Sequence, residues 1–270
     1  MSIDGLLLDI DGVLIQDGAA IPGAPDALRA IGERGLPFRL VTNGSQKSRA
    51  TLARQLTALG FGIEAAAILT PATAAARYLR DRGTTAYLAT REDTRADFRE
   101  TGVAVDDQRP DYVVLGDLGE DLSYAELNRV LRFLLGGAEL IALGRTRIWR
   151  APDGPALDVG PIAALFEEAT GVTAAVFGKP DPAVFREGAR ALGLDRALVA
   201  MVGDDAEVDV AAGRKAGLGA GLLVRTGKYR PGDESRHTPR PDVIYASFPA
   251  FAEALLKGEM SAEKPQPQDD

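Results

Sequence analysis

The sequence contains no cysteine and a single histidine, His237. Without cysteine, the chain cannot use thiolate catalysis, disulfides, cysteine-ligated zinc or iron–sulfur clusters. A Ser-His-Asp triad or a histidine metal site would have to use His237, which lies in a polar stretch where we expect a solvated loop. Catalysis in this chain must therefore rely on carboxylates, lysine, arginine, hydroxyl groups and the backbone.

Long apolar runs and an excess of positive charge are also missing. No apolar stretch approaches the roughly 20 residues that span a bilayer, and no basic region followed by an apolar segment marks the N-terminus, so we expect a cytoplasmic protein with no membrane partner. The net charge of −8 disfavours nucleic acid as a partner, because non-specific binding needs a basic surface. A length of 270 residues with 46% apolar residues is typical of one large or two modest globular domains.

Apolar runs bounded by turn residues alternate with helical patterns along the chain. This alternation predicts an α/β fold with a doubly wound parallel sheet, whose ligand crevice lies at the carboxyl ends of its strands. The expected strands are 5–10, 38–41, 86–89, 112–115, 139–143, 174–177, 198–202 and 221–224, and the expected helices include 26–34, 48–59, 124–135, 161–169, 183–192 and 206–216.

Four polar clusters follow the ends of expected strands. Each alone has a plain structural explanation, as an acidic turn, a capped turn or a helix N-terminus. Because the carboxyl ends of parallel strands share one edge of the sheet, four such clusters together indicate a binding crevice. The clusters are Asp9 with Asp11, Thr42 with Asn43, Lys179, and Asp204 with Asp205 and Asp209.

The composition of these clusters predicts phosphoryl transfer. Two acidic groups in one crevice would repel each other by several kcal/mol, and a hard divalent cation removes that repulsion. Mg²⁺ fits best, because it keeps bound waters and bridges to phosphate oxygens. Thr42 and Asn43 offer a hydroxyl and an amide to a phosphate, and Lys179 adds a positive charge. One carboxylate would attack phosphorus while a second acid protonates the leaving group.

The same residues resemble the four motifs of the haloacid dehalogenase-like (HAD) superfamily. The resemblance implies a Mg²⁺-dependent phosphatase in which Asp9 is the nucleophile and Asp11 is the general acid/base. The matching positions are the D-x-D-G-V sequence at 9–13, Thr42 after a strand, Lys179 in G-K-P, and G-D-x-x-x-x-D at 203–209.

The resemblance also assigns the metal ligands. Mg²⁺ would be held by the Asp9 carboxylate, the Asp11 backbone carbonyl and Asp204. Asp205 and Asp209 would lie outside the ligand shell, where they orient water and the motif lysine.

Within this resemblance, the spacing of the motifs predicts an inserted cap domain. Only 33 residues separate Asp9 from Thr42, whereas 137 separate Thr42 from Lys179. The chain is therefore similar to the NagD-like subclass IIA with a C2 cap, and within it to the group of the phospholysine phosphohistidine inorganic pyrophosphate phosphatase. The expected division is a core at 1–71 and 173–257, an inserted smaller α/β cap at 72–172, and a disordered tail at 258–270.

One cap segment, residues 145–154, carries the single tryptophan and three arginines. As a specificity loop, its Arg147, Trp149 and Arg150 would offer cations and an aromatic face to a leaving group. The alternative is a hairpin with Trp149 packed inward and the arginines in solvent.

The expected substrate is a small phosphorylated metabolite, because a cap over the site would exclude bulky partners. A phosphotransferase or mutase on the same core and a non-catalytic binding protein are the alternatives, while the presence of Asp11 disfavours a dehalogenase. The oligomeric state is left open, with a homodimer through the cap as one arrangement.

Overall fold

The computed structural model describes residues 3–151 and 154–259. The chain divides into two compact units, the first formed by Met1–Thr42, Ala53–Ile68 and Lys179–Asp270 and the second by Asn43–Leu52 and Leu69–Gly178. The expected cap segment, 72–172, lies inside the longer segment of the second unit, and the expected domain boundaries stay a prediction. None of the helices in the described part of the chain has the length and apolar character that crossing a bilayer requires.

Short strands are distributed along the whole described chain. They are β1 (Gly5–Leu8), β2 (Ile15–Gln16), β3 (Ala19–Ala20), β4 (Phe38–Val41), β5 (Ile68–Leu69), β6 (Thr85–Ala89), β7 (Ala104–Val105), β8 (Tyr112–Leu115), β9 (Glu139–Ala142), β10 (Ile148–Ala151), β11 (Gly154–Leu157), β12 (Ala175–Val176), β13 (Val199–Gly203), β14 (Ala220–Val224) and β15 (Val243–Tyr245).

The helices lie between these strands, as the sequence alternation predicts. They are α1 (Ala24–Glu33), α2 (Arg49–Ala58), α3 (Pro71–Arg82), α4 (Glu92–Thr101), α5 (Tyr124–Leu135), α6 (Val159–Thr170), α7 (Pro182–Leu192), α8 (Ala212–Lys215), α9 (Asp233–Arg236) and α10 (Phe248–Lys257), with a π-helical segment, Ala206–Ala211, leading into α8.

The first unit contains the sheet with strand order β15-β14-β13-β1-β4-β5. β1 pairs in parallel with β13 on one side and with β4 on the other. Leu6, Leu7 and Leu8 of β1 are completely buried, as expected for a central parallel strand that is covered on both faces. Because β1, β4 and β13 run in the same direction, Asp9, Thr42 and the 204–209 segment all leave the sheet at one edge.

The second unit has its own sheet, with order β12-β9-β8-β6-β7. Its paired strands are parallel, which makes this unit a smaller α/β domain. An antiparallel hairpin, β10–β11, precedes α6. The doubly wound α/β fold with a second, inserted α/β domain is therefore confirmed. Residues 260–270, which include most of the tail expected to be disordered, lie outside the described residues.

Candidate active site

The centre of the site is a buried lysine between two buried aspartates. The Lys179 Nζ lies 2.7 Å from Asp9 Oδ1 and 2.6 Å from Asp209 Oδ1. Asp9 Oδ1 also accepts a hydrogen bond of 2.8 Å from the Ile10 backbone N–H. Lys179, Asp9 and Asp209 are only 4%, 6% and 1% exposed, so their charges are shielded from water. Two carboxylates around one ammonium leave this buried group with a net negative charge.

A third carboxylate, from Asp204, completes an acidic cluster. One carboxylate oxygen from each of Asp9, Asp204 and Asp209 lies within 4.8 Å of the others. Asp204 Oδ2 accepts a hydrogen bond of 2.6 Å from the Lys228 backbone N–H. Asp204 Oδ1 is buried and has no hydrogen-bond partner among the described residues. A buried oxygen without a partner is costly, and a divalent cation with oxygen ligands would satisfy it, so these residues fit Mg²⁺.

Burial and mutual repulsion raise the pKa values of these acids. Burial, with the charges of Asp9 and Asp209, raises the pKa of Asp204 to about 8. Burial raises the pKa of Asp209 to about 6 against the opposing charge of Lys179. Burial likewise raises the pKa of Asp9, again opposed by Lys179. Burial alone would lower the pKa of Lys179, but its two carboxylate partners outweigh that effect and raise it. The cluster therefore favours the binding of further positive charge.

The position after the two aspartates of the first motif, Gly12, requires a glycine. Its φ is +81°, and a Cβ built on it would lie 2.0 Å from Asp204 Oδ2. A side chain at this position would therefore collide with Asp204 as well as straining the backbone. The close approach of the two loops depends on this glycine.

A loop after β14, residues 226–228, also belongs to the site. The Thr226 hydroxyl donates a hydrogen bond to the Gly12 carbonyl. The Gly227 N–H donates to Gln16 Oε1 at 3.2 Å, and Lys228 Nζ lies 4.0 Å from Asp205 Oδ2. These residues are not among the candidate site residues that the sequence predicts. The available signal was their position directly after a buried strand of the same sheet.

The other expected core residues have varied surroundings. Asp11 is exposed, and its charge contributes to raising the pKa of Asp9. Thr42 is buried directly after β4. Asp205 caps the π-helical segment, because its Oδ1 accepts hydrogen bonds from the backbone N–H groups of the second and third residues after it, at 3.0 and 2.9 Å. Asn43 is half-buried and belongs to the second unit.

Asp209 has a larger part in the cluster than the sequence indicates. The expected position outside the metal ligands remains a prediction, but its carboxylate lies within the group of oxygens that could hold a cation. Its Oδ2 also accepts a hydrogen bond of 3.2 Å from the Asp205 backbone N–H.

The predicted specificity residues lie at the β10–β11 hairpin of the second unit. Arg147 is exposed just before β10, and Trp149 is half-buried opposite Ala156. The backbone of Arg150 pairs with Pro155. The alternative to a specificity loop is a hairpin with Trp149 packed inward and the arginines in solvent, and the role of the three residues stays a prediction.

Comparisons with known proteins identify the family. A family model described as haloacid dehalogenase-like hydrolase matches residues 6–104, and one described as HAD-hydrolase-like matches residues 176–251. The human phospholysine phosphohistidine inorganic pyrophosphate phosphatase is 39% identical over 261 residues, which cover 94% of this chain and 95% of that protein. The chain belongs to the haloacid dehalogenase-like hydrolase family.

Solved structures of this family have the same architecture. The 4-nitrophenylphosphatase from Thermotoga maritima superimposes with a TM-score of 0.87 at 29% identity, covering 94% of this chain and 97% of that one. NagD from Escherichia coli K-12 gives a TM-score of 0.84 at 28% identity, covering 92% and 98%. The expected relationship to NagD-like HAD proteins is confirmed, and this HAD-family chain is a phosphatase.

Proposed function

We propose that this HAD phosphatase is Mg²⁺-dependent and hydrolyses a small phosphorylated metabolite through an aspartyl-phosphate on Asp9. The buried Asp9–Lys179–Asp209 group carries this proposal. A carboxylate that is withdrawn from water at the carboxyl edge of a parallel sheet, and oriented by a lysine and a backbone N–H, is suited to nucleophilic attack.

The cation site follows from the acidic cluster. Asp9 and Asp204 would hold Mg²⁺ with the Asp11 backbone carbonyl, and Asp209 lies close enough to contribute. The cation would neutralise charge that develops on the phosphoryl oxygens. Lys179 neutralises charge on the same group from its place beside Asp9, and Thr42 and Asn43 bind the remaining phosphate oxygens in this proposal.

Proton transfer falls to Asp11 in the proposed reaction. An Asp9 oxygen forms a bond to phosphorus as the bond to the leaving oxygen breaks, and Asp11 gives that oxygen its proton. Asp11 then removes a proton from water, the water oxygen attacks phosphorus, and the Asp9–phosphate bond breaks to release inorganic phosphate. Asp11 thereby regains the proton that it gave to the leaving oxygen, and its exposed side chain is accessible to the attacking water.

A small substrate is supported by the inserted α/β unit and by the relatives. In this proposal the unit caps the site, and Arg147, Trp149 and Arg150 contact the leaving group. The relatives' names specify a pyrophosphate and phosphoamino-acid phosphatase and a 4-nitrophenylphosphatase, both of which act on small phosphorylated compounds. The net charge of −8 agrees with a substrate that is bound locally rather than through a basic surface. The cytoplasm is the compartment we expect for it.

The test measures phosphate release from a panel of phosphorylated metabolites, with Mg²⁺ and with a chelator. Wild-type activity should require Mg²⁺, and Asp9→Asn should lower kcat by at least about a thousandfold. Asp26→Asn, a matched change at an exposed acid of α1, should keep wild-type activity.

Substantial turnover by Asp9→Asn would refute the assignment of Asp9 as the nucleophile, and chelator-resistant activity would refute the requirement for Mg²⁺. Transfer of phosphate to an added acceptor in place of water would favour a phosphotransferase.

A further inference from the structure

The 226–228 loop connects the first motif to the fourth. At its start, the Thr226 hydroxyl donates to the carbonyl of Gly12, next to the two motif aspartates. At its end, the Lys228 backbone N–H donates to Asp204 Oδ2. Between them, a Cβ on Gly227 would lie 2.0 Å from Asp204 Oδ2 and 2.5 Å from the Gly12 Cα. The loop therefore packs against both motifs with no room for a side chain at its centre.

This arrangement distinguishes the two oxygens of Asp204. Oδ2 is held by the loop, whereas Oδ1 is buried without a hydrogen-bond partner among the described residues. A carboxylate with one oxygen tied to a fixed N–H cannot rotate freely. Its other oxygen then keeps one direction, which is what an octahedral ion such as Mg²⁺ demands of its ligands.

We propose that Thr226 is a positioning residue for the cation site. Its bond to the Gly12 carbonyl fixes the loop, so that the Lys228 N–H holds Asp204 Oδ2 and Oδ1 faces the cation. The proposal rests on the proposed function, because it assumes that Asp204 holds Mg²⁺. Removing a group that orients a metal ligand typically lowers the affinity for the metal about 10- to 100-fold.

The test compares Thr226→Val, Thr226→Ser and the wild type. The valine variant keeps the shape of the side chain but loses its hydroxyl, while the serine variant retains a donor. Mg²⁺ affinity is measured by calorimetric titration of the metal-free full-length chain. Thr57→Val is the matched control, because it removes another hydroxyl-to-carbonyl bond, within α2.

The expected result is about a tenfold loss of Mg²⁺ affinity in Thr226→Val, recovery in Thr226→Ser, and no change in Thr57→Val. A cooperative unfolding transition of Thr226→Val, measured in chelator, shows that the valine variant is folded. If it is not, Gln16→Met provides the second test, because it removes the acceptor of the Gly227 N–H, and it should weaken Mg²⁺ binding severalfold.

If Thr226→Val is folded and binds Mg²⁺ with wild-type affinity, the positioning role is wrong. If the valine variant does not fold, wild-type Mg²⁺ affinity in Gln16→Met has the same consequence. In both cases the proposal that the acidic cluster binds Mg²⁺ would stand. If the wild-type chain binds no Mg²⁺, both the proposed cation site and the positioning role of Thr226 are wrong. Equal losses in the valine and serine variants would also refute the role of the hydroxyl.

Discussion

Replacing Lys179 by methionine tests how strongly the site depends on its buried charge pairing. Methionine has a similar length and no charge, so Asp9 and Asp209 would remain buried without the ammonium that now lies 2.7 and 2.6 Å from them. Removing one partner of a buried ion pair costs about 3–5 kcal/mol, because the remaining charge stays desolvated. With an unfolding entropy of about 2.1 cal/mol/K per residue, the 270 residues give about 0.57 kcal/mol/K, so such a loss lowers the midpoint of thermal unfolding by roughly 5–9 °C.

The loss should depend on pH. The folded pKa values of Asp9 and Asp209 are already raised by burial, and without Lys179 they lose the charge that lowers them. An acid whose folded pKa lies above its unfolded value stabilises the fold at low pH, and that contribution disappears as pH rises through the folded pKa. Lys179→Met should therefore be closest to wild type near pH 5 and most destabilised near pH 8.

The assay is thermal and urea unfolding of both chains in chelator at these two pH values. Lys257→Met is the matched control, because Lys257 is an exposed lysine paired with Glu253 on α10, and its unfolding midpoints should stay close to those of the wild type at both pH values. A Lys179→Met variant that loses less than about 1 kcal/mol, or loses the same amount at both pH values, would refute the reasoning.

Three further predictions concern the cluster, its glycine and the hairpin. In chelator, the wild-type free energy of unfolding should fall between about pH 5 and 8, because the folded pKa values of Asp209 (about 6) and Asp204 (about 8) exceed the unfolded value of 3.8. Each acid contributes up to about 1.4 kcal/mol per pH unit, Asp209 only below about pH 6 and Asp204 up to about pH 8. Saturating Mg²⁺ should flatten this slope in urea titrations, and a flat profile in chelator would contradict the prediction. Gly12→Ala should lower Mg²⁺ affinity more than tenfold, measured by calorimetry, because its Cβ would meet Asp204, and unchanged affinity would contradict that packing. Trp149→Ala should reorder kcat/KM across the substrate panel, whereas a stability loss with no reordering would support the plain hairpin.

Much of the fold could be predicted from the sequence, because its strands are short apolar runs and its helices have regular apolar spacing. β4, β8 and α5 have the predicted bounds. β1 ends at Leu8, two residues before the expected end: the Asp9 backbone N–H still donates to the Val202 carbonyl of β13, but the Ile10 N–H donates to the Asp9 side chain and not to a neighbouring strand. Such endings depend on tertiary contacts that periodicity does not describe.

The candidate site was predictable in its motifs but not in its contacts. Strand order brought Asp9 and Asp204 to one edge, and the repulsion between them was predictable from charge alone. The resemblance implied that Asp209 orients Lys179, but the direct 2.6 Å contact between them depends on the π-helical segment that follows Asp205, and no local pattern marks that geometry. Thr226 acts through a hydroxyl bond to a carbonyl 214 positions away in the sequence, which only the folded chain reveals.

The second unit also shows where motif spacing stops being informative. Spacing indicated one insertion between Thr42 and Lys179, but Asn43–Leu52 belongs to the second unit as well. Ser48 donates to the Asp93 carboxylate through both its backbone N–H and its hydroxyl, at 3.0 Å each, and the Arg49 N–H donates to the buried Asp97. Side-chain hydrogen bonds between distant segments, rather than sequence distance, determine where this unit begins.

The measurement that tests the central claim most directly is chemical trapping of the phosphorylated enzyme. Wild-type enzyme turning over 4-nitrophenyl phosphate is quenched with borohydride, which reduces an aspartyl-phosphate to homoserine, and its peptides are sequenced by mass spectrometry. The proposed mechanism predicts homoserine at position 9, with Asp11 unmodified and no homoserine in the absence of substrate. Phosphate release without modification at position 9, or modification at position 11 instead, would contradict it.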